Sequence, residues 1–160
     1  MGNKVLVISG ATKGIGKAIA YRFAKSGIDV AFTYNSNEDV AKEIEADLAK
    51  TYGIKAKGYK FDILEPDTYK DLFTQIDADF DRVDYFISNA IISGRSVVGG
   101  FAPFMRLKTK GLNNIYTATV LAFVVGAQEA AKRMQKIGGG SIVSLSSTGN
   151  LVYTDRKSVV

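Results

Sequence analysis

A glycine-rich turn joins an almost wholly apolar run to a helix-patterned one near the start of this chain, and that junction constrains the fold more than any other feature. Lys4-Val5-Leu6-Val7-Ile8-Ser9 is short and apolar at successive positions, the pattern of a strand buried on both faces. Ser9-Gly10-Ala11-Thr12-Lys13-Gly14-Ile15-Gly16 follows. Ile15, Ile19 and Phe23 then recur at helical spacing, and Gly27 stands where a helix stop belongs. The cycle repeats along the chain. Asp29–Tyr34 predicts a second strand, and Val40, Ile44, Leu48 and Tyr52 an apolar helix stripe ending at Gly53. Lys55–Asp62 predicts a third strand whose polar and apolar mixture suits a sheet edge. Pro66 opens a helix carrying Tyr69, Leu72, Phe73, Ile76 and Phe80 inward. Tyr85–Ser88 predicts a fourth strand, roughly Asn114–Lys136 a long helix and Ser141–Ser146 a fifth strand, while residues 91–112 read as loop with a short helical piece. This alternation implies right-handed crossovers and an α/β fold, a doubly wound parallel sheet flanked by helices, forming one unit. The loops after the strands would then meet at one crevice.

Composition narrows what that crevice can do. The 160 residues include no His and no Cys, which excludes cysteine-ligated zinc, a thiol nucleophile and an imidazole base. Acid–base work falls to Tyr, Lys, Asp, Glu, Ser or a cofactor, and no metal site is expected. The excess of 21 Lys and Arg over 16 Asp and Glu leaves a net charge of +5, but the basic residues are scattered. That distribution predicts a solvated mixed surface and no nucleic-acid partner. Met1-Gly2-Asn3-Lys4 shows no leader pattern, and the apolar run around Val120–Gly126 is too short for a bilayer span. A cytoplasmic domain with no membrane partner is the expectation.

The position of the glycine loop suggests its ligand. Between a first strand and a first helix, glycines permit a tight turn and the close approach of a diphosphate, and the exposed N–H groups of the helix favour its charge. Gly10, Gly14 and Gly16, with Thr12, Lys13 and Ile15 on the same loop, are therefore the leading cofactor contacts. An NAD site places a carboxylate at the end of the second strand. Here that turn reads Thr33-Tyr34-Asn35-Ser36-Asn37, with acids only from Glu38 onward. An uncharged turn suits a 2′-phosphate, Lys13 adds a cation, and Tyr34 and Asn35 are the candidate contacts. NADPH is the expected cofactor.

The spacing Gly10-x3-Gly14-x-Gly16 resembles the cofactor loop of the short-chain dehydrogenase/reductase family, and three further marks follow in order. Asp62-Ile63 resembles the pair that contacts adenine, Ser88-Asn89-Ala90 the segment lining the adenosine side of the cleft, and Ser146-Ser147 the segment with the catalytic serine. The likeness spans residues 4–153 and implies a Rossmann-like sheet. It makes Asp62, Ile63, Asn89 and Ala90 cofactor contacts, and Ser147 a catalytic hydrogen-bonding residue. Ala90-Ile91-Ile92-Ser93-Gly94-Arg95, Ala127–Met134 and Ser146-Ser147-Thr148-Gly149-Asn150 are similar to NADPH-dependent enoyl-acyl-carrier-protein reductases of the short-chain type. That implies hydride delivery to the β-carbon of an enoyl thioester on an acyl carrier protein, in a parent enzyme that forms a homo-oligomer. A 3-oxoacyl-carrier-protein reductase of the same family, or a non-catalytic nucleotide-binding module, are the alternatives. Phe101, Phe104 and Met105 could line an acyl pocket or simply pack an irregular loop.

Two departures from the family pattern stand out. The helix position where many members carry Asn falls on Thr119, with Asn113 and Asn114 upstream. The slots for the family's Tyr and Lys fall on Lys157-Ser158-Val159-Val160 and beyond; Tyr153 and Lys157 spell the motif but stand too close to Ser147. Asp155-Arg156-Lys157-Ser158-Val159-Val160 also matches the translation of a common sequencing-adapter oligonucleotide. The expectation is a reductase domain over residues 1–153 that lacks its C-terminal strands, with a non-native tail over 154–160. The fifth strand would then be an unpaired apolar edge, and the 160-residue chain would be inactive.

Overall fold

The computed structural model describes residues 2–92 and 104–146. Five strands form one sheet: β1 (Val5–Ile8), β2 (Asp29–Tyr34), β3 (Ala56–Lys60), β4 (Tyr85–Ser88) and β5 (Ser141–Ser144). Their order is β3-β2-β1-β4-β5, and every pairing is parallel. Each crossover carries helix: α1 (Gly14–Ala24), α2 (Glu38–Tyr52), α3 (Tyr69–Asp79) behind a 3-10 turn at Pro66–Thr68, and the pair α4 (Thr109–Tyr116) and α5 (Ala122–Lys136). β3 lies at an edge, as its mixed composition predicted, and is shorter than the Lys55–Asp62 run.

Two apolar clusters form, one on each face. Leu6, Ile8, Val30, Phe32 and Ile87 meet α1 and α2 through Ala20, Ala24, Ile44 and Leu48. Val5, Val7, Ala31 and Phe86 meet α3 and α5 through Tyr69, Phe73, Ile76, Ala122 and Ala130. Alternate residues of β1 and β2 serve opposite faces, which is why those strands read as continuous apolar runs. Gly126 lets α5 approach the second face closely, since a Cβ there would lie 2.7 Å from Phe86 Cζ and 2.9 Å from Tyr69 Cζ.

Three local expectations are corrected. The buried face of α1 is Gly16, Ala20 and Ala24; of the stripe Ile15–Ile19–Phe23, Ile19 and Phe23 pack half-buried at its margin, while Ile15 is 65% exposed. Small residues face the sheet because the helix backbone lies close against it. On α2, Ala41 is buried with Ile44 and Leu48, while Val40 and Tyr52 are only half-buried at its margins. The long helix begins at Thr109 rather than near Asn114, and a π turn over Thr117–Leu121 divides it. Thr119 sits in that turn, its exposed hydroxyl donating to the Ile115 carbonyl at 2.6 Å.

β5 pairs with β4 in the register Tyr85↔Ser141 to Ser88↔Ser144. All four of its residues are exposed, and among the described residues nothing pairs with its outer edge. No described helix is long and apolar enough to cross a membrane. Ser147, Phe101, Tyr153 and the 154–160 tail lie outside the described residues.

Candidate nucleotide-binding site

The carboxyl ends of β1, β2 and β4 converge on the glycine loop, and hydrogen bonds fix its course. Ser9 directly follows β1, and its N–H donates to the Ile87 carbonyl of β4 at 3.0 Å. Gly10 turns with φ +72°, a left-handed conformation that glycine adopts without penalty. Its N–H donates to Thr33 Oγ1 at 3.1 Å, and the Ala11 N–H donates to the Thr33 carbonyl at 3.2 Å. The loop is thereby sewn to β2 on one side.

On the other side it is sewn to β4. Asn89 Nδ2 donates to the carbonyls of Ser9 (3.0 Å) and Gly10 (2.7 Å). The N–H groups of Asn89 and Ala90 both donate to Ser9 Oγ, each at 3.0 Å. Both amide hydrogens of Asn89 are thus spent on the loop backbone, which makes this side chain a clamp on the turn. Ser9 and Thr33 complete the clamp, and neither stands out in the sequence. The only signal is a hydroxyl at a buried position of an otherwise apolar strand.

Gly16 owes its identity to close approach. A Cβ there would lie 2.1 Å from the Gly10 carbonyl oxygen and 2.5 Å from Asn89 Nδ2. Gly14 owes its identity to conformation, with φ +56° and open space around it. Together they bring the first turn of α1 directly over the end of β1. Lys13 is the N-cap in extended conformation, no side chain caps the helix, and no acidic residue occupies its first turn. An α-helix begins with N–H groups that have no intrahelical partner, and the macrodipole places partial positive charge there. This start suits a phosphate on both counts. Thr12 is half-buried, while Lys13 and Ile15 are exposed around the same opening.

The remaining predicted residues spread around this centre. Asn35 is exposed just beyond β2. The Tyr34 side chain belongs instead to the face covered by α2, packed against the cluster of Leu6, Phe32 and Ile44; burial, with help from Glu38, pushes its phenol above the ordinary tyrosine value. Asp62 accepts from its own Leu64 N–H at 2.9 Å, closing a local turn after β3, and Ile63 is buried at the margin of the second core. Ile91, beside the clamp, is 76% exposed. Among the described residues there is no cluster of His, Cys, Asp and Glu able to hold a metal.

A glycine loop clamped between β2 and β4, below an uncapped helix start, agrees with the family comparison: the model for short chain dehydrogenases matches residues 4–159. This chain belongs to the short-chain dehydrogenase family. Among curated relatives, a 1-cyclohexenylcarbonyl-CoA reductase of Streptomyces collinus is 32% identical over 92% of this chain and 50% of its own length. A 3-oxoacyl-[acyl-carrier-protein] reductase of Aquifex aeolicus is 30% identical over 92% of this chain and 58% of its own. Among solved structures, L-sorbose reductase from Gluconobacter frateurii, complexed with NADPH and L-sorbose, superposes with a TM-score of 0.78. It is 25% identical, over 89% of this chain and 51% of that one. The chain spans about half the length of the curated relatives it matches. The parallel sheet with helices on both faces is the Rossmann-like fold of this family.

Proposed function

We propose that this chain forms the NADPH-binding part of a short-chain reductase that acts on an acyl thioester. The observation that carries the reading is the clamped glycine loop, whose three glycines are required by conformation or by close approach where a dinucleotide's diphosphate would meet α1. When bound, the cofactor supplies a hydride. The chain's own residues orient it: the N–H groups at the start of α1 hold the diphosphate, and Ser9, Thr33 and Asn89 keep the turn from yielding under it. Asn35 and Lys13 stand on the 2′-phosphate side, and no free carboxylate occupies the end of β2. The NADPH complex of the related sorbose reductase supports the same choice of cofactor.

For the substrate we favour the double bond of a 2-enoyl thioester carried by an acyl carrier protein. The relationship to a 1-cyclohexenylcarbonyl-CoA reductase supports that reading. The relationship to a 3-oxoacyl-[acyl-carrier-protein] reductase supports ketone reduction on the same kind of thioester. In either reaction Ser147 would hydrogen-bond the substrate oxygen. The experiment is to follow NADPH consumption by the full-length parent enzyme with crotonyl and acetoacetyl thioesters. Turnover of crotonyl thioester is expected. Turnover of the acetoacetyl thioester alone moves the reading to 3-oxoacyl reduction, and failure to bind either nicotinamide dinucleotide sinks the cofactor assignment.

A further inference from the structure

NADPH differs from NADH by one phosphate on the adenosine ribose, so preference between them is decided by charge and donors around the carboxyl end of β2. Lys60 occupies that corner from the neighbouring strand. It is the last residue of β3 and stands in register with Tyr34, the last residue of β2. The two strand ends are tied by the Phe61 N–H donating to the Tyr34 carbonyl at 2.8 Å. Lys60 and Asn35 line one groove of about 300 Å³, with Asp62 and Thr68 also on its wall.

The ammonium is available there. Lys60 is exposed, and among the described residues no carboxylate forms an ion pair with it. The acid whose field it shares is Glu38. That carboxylate is already held by Lys42 Nζ at 2.8 Å; the Lys42 hydrogen bond chiefly, and Lys60 least, keep it below the usual range. Asp62 is engaged with its own turn. Glu65 and Asp71 line the α3 side of the groove, so its overall charge does not favour anions. Lys60 is the one basic residue on the wall of this groove, and it stands on the strand side.

We propose that Lys60 is a specificity-determining residue, its ammonium and the Asn35 side chain together holding the 2′-phosphate of NADPH and setting preference over NADH. This rests on the glycine loop being a dinucleotide site. The test is titration of the protein and of its Lys60→Gln and Lys60→Arg variants with NADPH and NADH, and with the fragments 2′,5′-ADP and 5′-ADP. A charge-assisted contact of this kind predicts that Lys60→Gln weakens NADPH and 2′,5′-ADP by about tenfold or more. NADH and 5′-ADP should be unmoved, and Lys60→Arg should restore most of the loss. Equal weakening of both dinucleotides, or none of either, overturns the role of Lys60 while keeping the site. Binding of neither dinucleotide by the unaltered protein overturns the site itself, and the role of Lys60 with it.

Discussion

Gly16→Ala tests whether the glycine loop is locked by contact. The added Cβ would lie 2.1 Å from the Gly10 carbonyl oxygen, whereas real Cβ atoms essentially never come within 3.0 Å of a neighbour, so the two must separate by nearly 1 Å. Gly10 cannot simply retreat. Its N–H is held by Thr33 Oγ1, and its own Cα already faces Ala90, whose Cβ would lie 3.0 Å from a Cβ built at Gly10. Either the Asn89 bond to Gly10 breaks or α1 tilts off the sheet. Overpacking of this kind costs about 1–3 kcal/mol, and one lost hydrogen bond costs about 1 more. Alanine's better helix propensity returns about 1 kcal/mol. The net expectation is destabilisation by about 2 kcal/mol.

Gly27→Ala separates this from the generic effect of losing a glycine. Gly27 has φ +72° and nothing within 4 Å of its would-be Cβ, so alanine there costs about 1–2 kcal/mol of left-handed strain and touches no loop contact. Urea denaturation measures stability, and NADPH titration measures the site. Gly16→Ala is expected to lower affinity by about tenfold or more, and Gly27→Ala to leave it unchanged. A Gly16→Ala protein as stable as the original, with undiminished affinity, would refute the contact argument.

Asn89→Asp replaces two donated hydrogen bonds, to the Ser9 and Gly10 carbonyls, with acceptor oxygens facing acceptors. Thermal melts should show a loss of at least about 2 kcal/mol together with weaker NADPH binding; an unchanged melt would mean the clamp contributes nothing. Glu129 on α5 is buried and accepts from Lys132 Nζ at 2.5 Å and Arg133 Nη1 at 2.9 Å. The Lys132 bond chiefly, and Arg133 next, hold its carboxyl below the usual glutamate value against the opposing effect of burial. A lowered folded value means that this stabilisation is complete above the ordinary glutamate range and is lost as pH falls through the folded value. Glu129→Gln should therefore be less stable at neutral pH and lose less on acidification, as measured by denaturation at a series of pH values. A parallel acid profile for both proteins would contradict this.

How much of this could be read from residues alone follows from the range of the interactions involved. β1 and β2 were legible because burial on both faces demands unbroken apolar runs, and β3 because an edge tolerates Lys57 and Lys60. The α1 stripe misled because apolar size and burial part company where a backbone is drawn close to a sheet. There Gly16, Ala20 and Ala24 face inward while Ile15 is left out in solvent. The π turn at Thr117–Leu121 is marked by neither Gly nor Pro and so gave no signal. In the site, the glycines announce themselves because left-handed φ and close approach are properties of a single residue. Ser9, Thr33 and the clamping role of Asn89 do not, because each acts on a partner 23 to 81 positions distant. Lys60 belongs with them, since its register with Tyr34 exists only once β2 and β3 are paired. The loop that receives a diphosphate is thus encoded locally, while the groups that stiffen it and choose between two dinucleotides are set by strand pairing.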